Sequence, residues 1–382
     1  MRLALFGPAP PLRGGIVAAQ ANLYRTLAAR GHQMHWTGFR RQYPDIIFPG
    51  TSQEGETAPW LQCPSDRIFV PWEPWTWTQA AKNLLDFRPD GVIARWWIPF
   101  FAPGFREVMR RVRRRTRAVW LLDNVVPHES YPLSSWLTRQ ALRQGHAYLV
   151  QSEQVRRELT DLLPDLDPAQ IRLAPHPVYD YGTPERPRPT VAEARRQLNL
   201  PPQTRVLLFF GFIKPYKGLN YLIDAAPMLR ERFGPEGVRL VIVGDVYGDR
   251  QPYIDRIAAS GAFDIIDFHA EYVADDAVEA WFVASDLVVL PYVSATQSGI
   301  VQIAWNYDKP VVTTAVGGLP EVVSDGQTGF LVPPSDAEAL ARACIRFFEE
   351  DRAEAMGQAV AAEKARYSWD NQAAAIEDLV GR

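Results

Sequence analysis

Cysteine is nearly missing from this chain: Cys63 and Cys344 are the only two among 382 residues, far apart in sequence. That excludes a disulfide framework and fits a reducing compartment. No stretch approaches the ~18 apolar residues of a membrane-spanning helix. The opening MRLALFGPAP has too short an apolar core for a signal peptide and reads as a first strand. The six histidines, at 32, 35, 128, 146, 176 and 269, lack metal-ligand spacing, so neither a bound metal nor another cofactor is expected. Neither sign of charge dominates. With 41 Lys and Arg against 44 Asp and Glu the net charge is −3, which makes no whole-chain case for nucleic acid. The Gly-x-Gly-x-x-Gly fingerprint is absent after the first strand, which disfavours a nicotinamide oxidoreductase. Repeats and low-complexity tracts are absent too.

What remains is an ordinary globular composition, 47% hydrophobic and 22% charged, on a chain long enough for two domains. Short apolar runs alternate with amphipathic stretches. Strands are expected at 2–6, 33–37, 91–94, 118–122 and 147–150, then at 206–210, 239–243, 264–268, 286–290 and 310–313. These runs lack polar alternation, as parallel strands covered on both faces do. Helical stretches at 16–30, 219–232 and 337–350 sit among them. The fold class is therefore α/β, with two doubly wound domains. The break falls at YGTPERPRPT, 181–190, whose prolines stop helix and central strand alike. A first domain of 1–182 and a second beginning at 191 follow. Residues around 54–59 and the tryptophan-rich VPWEPWTWT, 70–78, read as irregular loops; the tryptophans suit either local packing or a platform for a sugar or lipid.

Ligands of open α/β sheets bind beyond the carboxyl ends of the strands. Five such ends stand out. FGPAPPLRGG places Gly14 and Gly15 before a helix, where exposed N–H groups meet a ligand, although a plain loop fits as well. GFIKPYKG places Gly211, Lys214 and Lys217 after a strand, which suits a phosphate or two solvated lysines. LVIVGD ends on Gly244 and Asp245, a ribose acceptor or a helix cap. PYVSATQSGIVQIAW leaves Gln297, Ser298 and Gly299, uncharged and small, at a helix N-terminus, the makings of an anion site. Finally, AVGGLPEVV sets Glu321 one turn into a helix after Gly317 and Gly318, and a turn at Asp325–Gly326 precedes a short strand.

In their order and spacing, GFIKPYKGLNYLIDA, LVIVGD, DLVVLPY and KPVVTTAVGGLPEVVSDGQTGFLVPPSDAEALA resemble the nucleotide-sugar glycosyltransferases of GT-B architecture, family 4. The first half is similar more loosely, through RGGIVAAQANLYRTLAARGHQM, DNVVPHE and VQSEQV. The resemblance implies two Rossmann-like domains facing across a cleft. The second would hold a nucleoside-diphosphate sugar and the first a saccharide or lipid-linked acceptor. Transfer would proceed with retention and without metal, in polysaccharide biosynthesis. Donor contacts would come from Gly14, Gly15, Gly211, Lys214, Lys217, Gly244, Asp245, Gln297, Ser298, Gly299 and Glu321, with backbone at Tyr272 and Val273 gripping the nucleobase. Asp123, standing where the family carries a histidine, and His128 with Lys217 would serve the reaction; His128 and Glu129 would meet the acceptor. His128 reads equally as a satisfied loop histidine.

Two departures accompany the resemblance. Phe212 stands where an arginine is common, with Lys214 near enough to supply the charge. Ala295 and Ile303 stand where many members carry a glutamate pair. The loop thus looks built to grip phosphate rather than to set carboxylates beside a sugar, and a non-catalytic nucleotide-sugar binder is the alternative. REVMRRVRRRTR, Arg106 through Arg117, has seven arginines opposite an apolar stripe. It reads as a helix packed on its own sheet or as a peripheral membrane contact. The expected location is the cytoplasm, with or without attachment to the inner face of the membrane. YSWDNQAAAIEDLV resembles the family's last helix, which returns to the first domain; the resemblance thus implies a second domain of 191–365 and a terminal segment 366–382.

Overall fold

The computed structural model describes residues 1–44, 53–55, 62–125, 133–179, 181 and 187–382. Two compact units divide the chain: Met1–Pro177 together with Arg366–Arg382, and Val178–Ala365.

The first unit holds strands β1 (Arg2–Phe6), β2 (Gln33–Phe39), β3 (Asp66–Phe69), β4 (Gly91–Trp96), β5 (Arg117–Leu122), β6 (Ala147–Val150) and β7 (Ile171–Leu173). All are parallel, in the order β3-β2-β1-β4-β5-β6-β7. Helices α1 (Gly15–Ala29), α2 (Pro74–Asp86), α3 (Ala102–Val112), α4 (Ser134–Leu142) and α5 (Glu153–Leu162) connect them. The period of two along β1 sorts its side chains. Ala4 and Phe6 enter a core with Leu84, Phe105, Val108 and Met109, from α2 and α3, whereas Leu3 and Leu5 enter another with Leu23 and Leu27 of α1. Burial on both faces is why these runs show no polar alternation.

Three local expectations change here. Of residues 70–78 only 70–73 are irregular, because Pro74 opens α2 at a position where its missing N–H costs nothing. Trp77 packs against the core, but Trp75 is 64% exposed. Second, β3 and β7, of four and three residues, are too short to carry a periodic signal. Third, the arginine-rich helix ends at Val112, and Arg117 already belongs to β5. Its Phe105, Val108, Met109 and Val112 are fully buried.

The terminal helix α14 (Trp369–Gly381) belongs to the first unit. Ala373, Ile376 and Leu379 complete the core that contains Leu3, Leu5 and Ile93. Gly91 opens β4 because a Cβ there would lie 2.6 Å from Val380. Glu377 anchors the helix, accepting both Nε and Nη2 of Arg30 at 2.8 Å and facing His32 Nε2 at 2.7 Å. Hydrogen bonds from Arg30, ahead of that from His32, hold its pKa down to about 2. A carboxylate whose folded pKa is depressed adds stability above its unfolded value, about 4.3, and loses it as pH falls towards 2. Glu377→Gln should therefore cost about 0.5–1 kcal/mol at neutral pH and flatten the acid limb of a thermal-melt series between those values. An unchanged acid limb would refute the assignment.

In the second unit, β8 (Arg205–Phe210), β9 (Val238–Val243), β10 (Ile266–His269), β11 (Leu287–Leu290), β12 (Val311–Thr314) and β13 (Gly329–Val332) form another parallel sheet. Its order is β10-β9-β8-β11-β12-β13. Helices α6 (Val191–Gln197), α7 (Leu219–Phe233), α8 (Gln251–Ala259), α9 (Asp275–Ala284), α10 (Gly299–Asn306), α11 (Leu319–Val322), α12 (Ala337–Glu349) and α13 (Ala353–Glu363) complete it. The expected strand at 264–268 starts later, since 263–265 form a 3-10 turn. Strand order reverses between β8 and β11, so the loops after those strands bound the crevice where such sheets take ligands.

Candidate functional site: a phosphate cradle after β8 and β11

Strand β8 is followed by Gly211, whose φ of 109° suits glycine. Gly244, after β9, lies so close that a Cβ on it would be 1.9 Å from the Gly211 carbonyl. Beyond Gly211, Ile213 N–H donates to Asp245 O at 2.8 Å, so the ends of β8 and β9 are tied together. Asp245 is half-buried. Lys214 and Lys217 bracket a short 3-10 turn. Lys214 Nζ lies 4.8 Å from the Tyr247 ring and Lys217 Nζ 3.9 Å from the Tyr292 ring, a cation–π contact. Burial, ahead of any nearby charge, holds the Lys217 pKa below the ordinary lysine value. No carboxylate among the described residues forms an ion pair with it, so a bound anion would supply compensation that the fold itself does not.

The β11–α10 loop closes over this turn. Val293 N–H donates to Tyr216 O at 2.8 Å, and Gly218, at φ 69°, approaches Pro291 O so closely that a Cβ would sit 1.9 Å away. Ser298 caps α10, its Oγ accepting from Ile300 N–H at 3.2 Å and lying 3.1 Å from the Tyr292 hydroxyl. Gln297 Nε2 is buried and, among the described residues, has no hydrogen-bond partner. A buried donor without an acceptor is costly in the absence of ligand. Gly317 of the β12 loop fits beneath, at φ 53°, where a Cβ would be 1.5 Å from Ala295 O, and Gly318 N–H donates to Thr296 O at 2.9 Å. Lys217, Gln297, Ser298 and Gly299 are thereby assembled from separate loops. Ile303 is buried on α10, and the Ala295 carbonyl lies where a side chain on Gly317 would have to go, so both positions are engaged in packing.

Tyr272 and Val273 follow β10 and are half-buried, and Glu321 is exposed in the first turn of α11. Sequence reasoning missed Tyr179, whose ring lies 3.4 Å from a Cβ built on Gly299. It is 120 positions away, with no motif to announce it.

In the first unit, Gly14 takes φ 114° as the residue before α1, and the space where Cβ atoms of Gly14 and Gly15 would point is open. Asp123, after β5, accepts Arg95 Nε and Nη2 at 2.7 Å each and Gln151 Nε2 at 2.6 Å. Arg95 is 1% exposed. This bidentate pair joins the ends of β4, β5 and β6. Nearby His176 is held near pKa 4, by burial first and by the Arg95 charge second, and is neutral at physiological pH. Arg95 does not signal its role in sequence, since it sits among the apolar residues of β4, and Gln151 reads as one polar residue of the turn after β6. His128 and Glu129 lie outside the described residues. Among the described residues no cluster of three or more His, Cys, Asp or Glu is arranged to hold a metal.

Two family models match: Glycosyltransferase Family 4 over residues 13–180 and Glycosyl transferases group 1 over residues 204–350. The chain belongs to the family 4, group 1 glycosyltransferases. Among curated relatives of this family, a D-inositol 3-phosphate glycosyltransferase of Streptomyces griseus is 35% identical over 195 residues, covering 49% of this chain and 41% of the relative. The enzyme of the same name from Corynebacterium aurimucosum is 31% identical over 230 residues, covering 58% and 54%. The chain thus spans about half the length of the curated relatives it matches. Among solved structures, Anabaena Alr3699/HepE in complex with UDP and glucose superposes with a TM-score of 0.76 at 18% identity, covering 100% of both chains. Sucrose-phosphate synthase of Thermosynechococcus elongatus gives 0.73 at 19%, covering 99% and 98%. These likenesses establish the GT-B fold.

Proposed function

We propose that the protein transfers a sugar, with retention of configuration and without a resident metal or cofactor, from a nucleoside-diphosphate sugar to a saccharide or lipid-linked acceptor. The observation that carries this reading is the cradle after β8 and β11, where Lys217, the orphaned Gln297 Nε2 and the Ser298-capped start of α10 meet. As a glycosidic bond to a diphosphate breaks, negative charge grows on the leaving oxygens. A cation, an amide donor and free helix N–H groups fixed beforehand lower that barrier without reorganising. Lys214 is assigned to the same diphosphate, and the amides at Gly14 and Gly15 are assigned to the first unit's own donor contacts. Gly211 and Gly244 let backbone approach the nucleoside, Asp245 accepts a ribose hydroxyl, Tyr272 and Val273 meet the base, and Glu321 accepts a donor hydroxyl. Asp123, locked by Arg95, acts as a fixed hydrogen-bond acceptor rather than a base; His128 and Glu129 meet the acceptor.

UDP-, GDP- and ADP-sugars offered with candidate acceptors and followed for nucleoside-diphosphate release test this reading. Turnover is expected with one base. Calorimetric binding without turnover for any acceptor would favour the non-catalytic binder, and no heat with any nucleoside diphosphate would remove both.

A further inference from the structure

The chain is acidic overall, yet one side of its first unit is strongly basic. Helix α3 packs between α2 and α4 on the same face of the sheet. Positions 74–90, 102–116 and 134–143, which make up these helices and the turns after them, carry ten Arg or Lys and three Asp or Glu. That is a local +7 within a net −3. Lysine and arginine at helix C-termini complement the dipole. That accounts for a few of these cations but not for Arg113, Arg114 and Arg115 in succession beyond the end of α3.

The cations converge. A groove of about 690 Å³ beside the C-terminal ends of α2 and α3 is lined by Lys82, Arg88, Arg111, Arg114 and Arg115, with Asp86 as its one carboxylate. Among the described residues, Lys82, Arg88, Arg114 and Arg115 have no ion-pair partner, while Arg111 shares Glu107 with Arg110. The groove lies by the amino ends of β4 and β5, remote from the strand ends that carry Asp123. At the opposite ends of the outer helices, Trp75 and Trp136 are 64% and 57% exposed. Exposed indoles and cations on one helical layer are the composition of a membrane-interface footprint, in which aromatic bodies settle among headgroups and cations meet lipid phosphates.

We infer that the α2–α3–α4 side of the first unit docks on anionic phospholipid bilayers. The contact is made by exposed cations and two tryptophans, not by insertion of α3, whose apolar stripe is spent on the sheet. Of the two readings of Arg106 through Arg117, packing on its own sheet describes the apolar stripe, and the proposed membrane contact falls to the cations alone. The inference does not depend on catalysis, since it concerns a surface of the first unit at the strand ends opposite to those that carry Asp123.

Flotation of the full chain with vesicles tests it. Vesicles of phosphatidylcholine alone should bind none, and those with about a third phosphatidylglycerol should bind at low salt and release most protein near 0.5 M NaCl. Combining Arg111→Gln, Arg114→Gln and Arg115→Gln should weaken binding by about 100-fold, at roughly a factor of five per arginine. Arg342→Gln, at an exposed arginine of the second unit, should change nothing. Trp75→Ala with Trp136→Ala should lower the residual binding at high salt. Equal binding to both vesicle types, or a triple variant that melts like the parent and still floats like it, would overturn the inference. So would capture of inorganic polyphosphate or double-stranded DNA without any vesicle binding.

Discussion

Lys217→Ala is expected to weaken binding of the cognate nucleoside diphosphate by roughly 1.5–3 kcal/mol, about 10- to 150-fold in Kd. It should lower kcat by a larger factor than it lowers affinity for the intact sugar nucleotide, because charge on the leaving oxygens grows only as the bond breaks. The geometry behind this is specific. Lys217 Nζ is held 3.9 Å from the Tyr292 ring, and the Tyr292 hydroxyl is 3.1 Å from Ser298 Oγ, so cation and helix N-terminus are placed through one shared ring. Lys217→Arg should rescue poorly, since a planar fork does not fit a slot shaped for an ammonium group. Lys214→Ala should do less, because Lys214 rests beside Tyr247 near the exposed Phe212. Calorimetry with UDP, GDP and ADP measures the first effect. A Kd within threefold of the parent would remove Lys217 from the diphosphate site.

Asp123→Ala should be the most destabilising single change considered, by about 3–5 kcal/mol, because it deprives a guanidinium that is 1% exposed of its bidentate carboxylate. Asp123→Asn should cost less, retaining an acceptor for one of the two contacts. Urea unfolding at neutral pH separates the two roles open to this carboxylate. Full stability with abolished turnover would mean that Asp123 acts on substrate directly and that Arg95 finds compensation elsewhere. Lost stability with residual turnover would mark it as a positioning residue that braces the ends of β4, β5 and β6. His176 offers a second readout. Its pKa, near 4 with the Arg95 charge beside it, should fall further once Asp123 no longer offsets that charge.

Much of the second unit could be read directly. Gly211, Lys217, the SATQSG loop and the Gly317–Gly318 turn recur at strand ends, and each end is announced by an apolar run that stops. Close approach explains the glycines: at 218, 244 and 317 a Cβ would strike a backbone carbonyl. The first unit was less legible. The tryptophan-rich stretch concealed the start of α2, because Pro74 signals a loop as readily as a first helical turn. The strands β3 and β7 were too short to show a period. In α3 the amphipathic pattern was plain, but amphipathicity states only that one face is covered.

The sequence alone determined the alternation of buried strands and covering helices, hence two doubly wound sheets, and it determined which loops carry small and cationic residues. These are local properties, set by periods of two and 3.6 and by what φ each residue tolerates. Tertiary structure decided the partners: Arg95 for Asp123, Tyr179 against Gly299, the sheet rather than a bilayer beneath α3, and Arg30 with His32 for Glu377. Such pairs join residues up to some 350 positions apart. Their geometry depends on how strands order within a sheet, and nothing in a residue's own neighbourhood encodes that order.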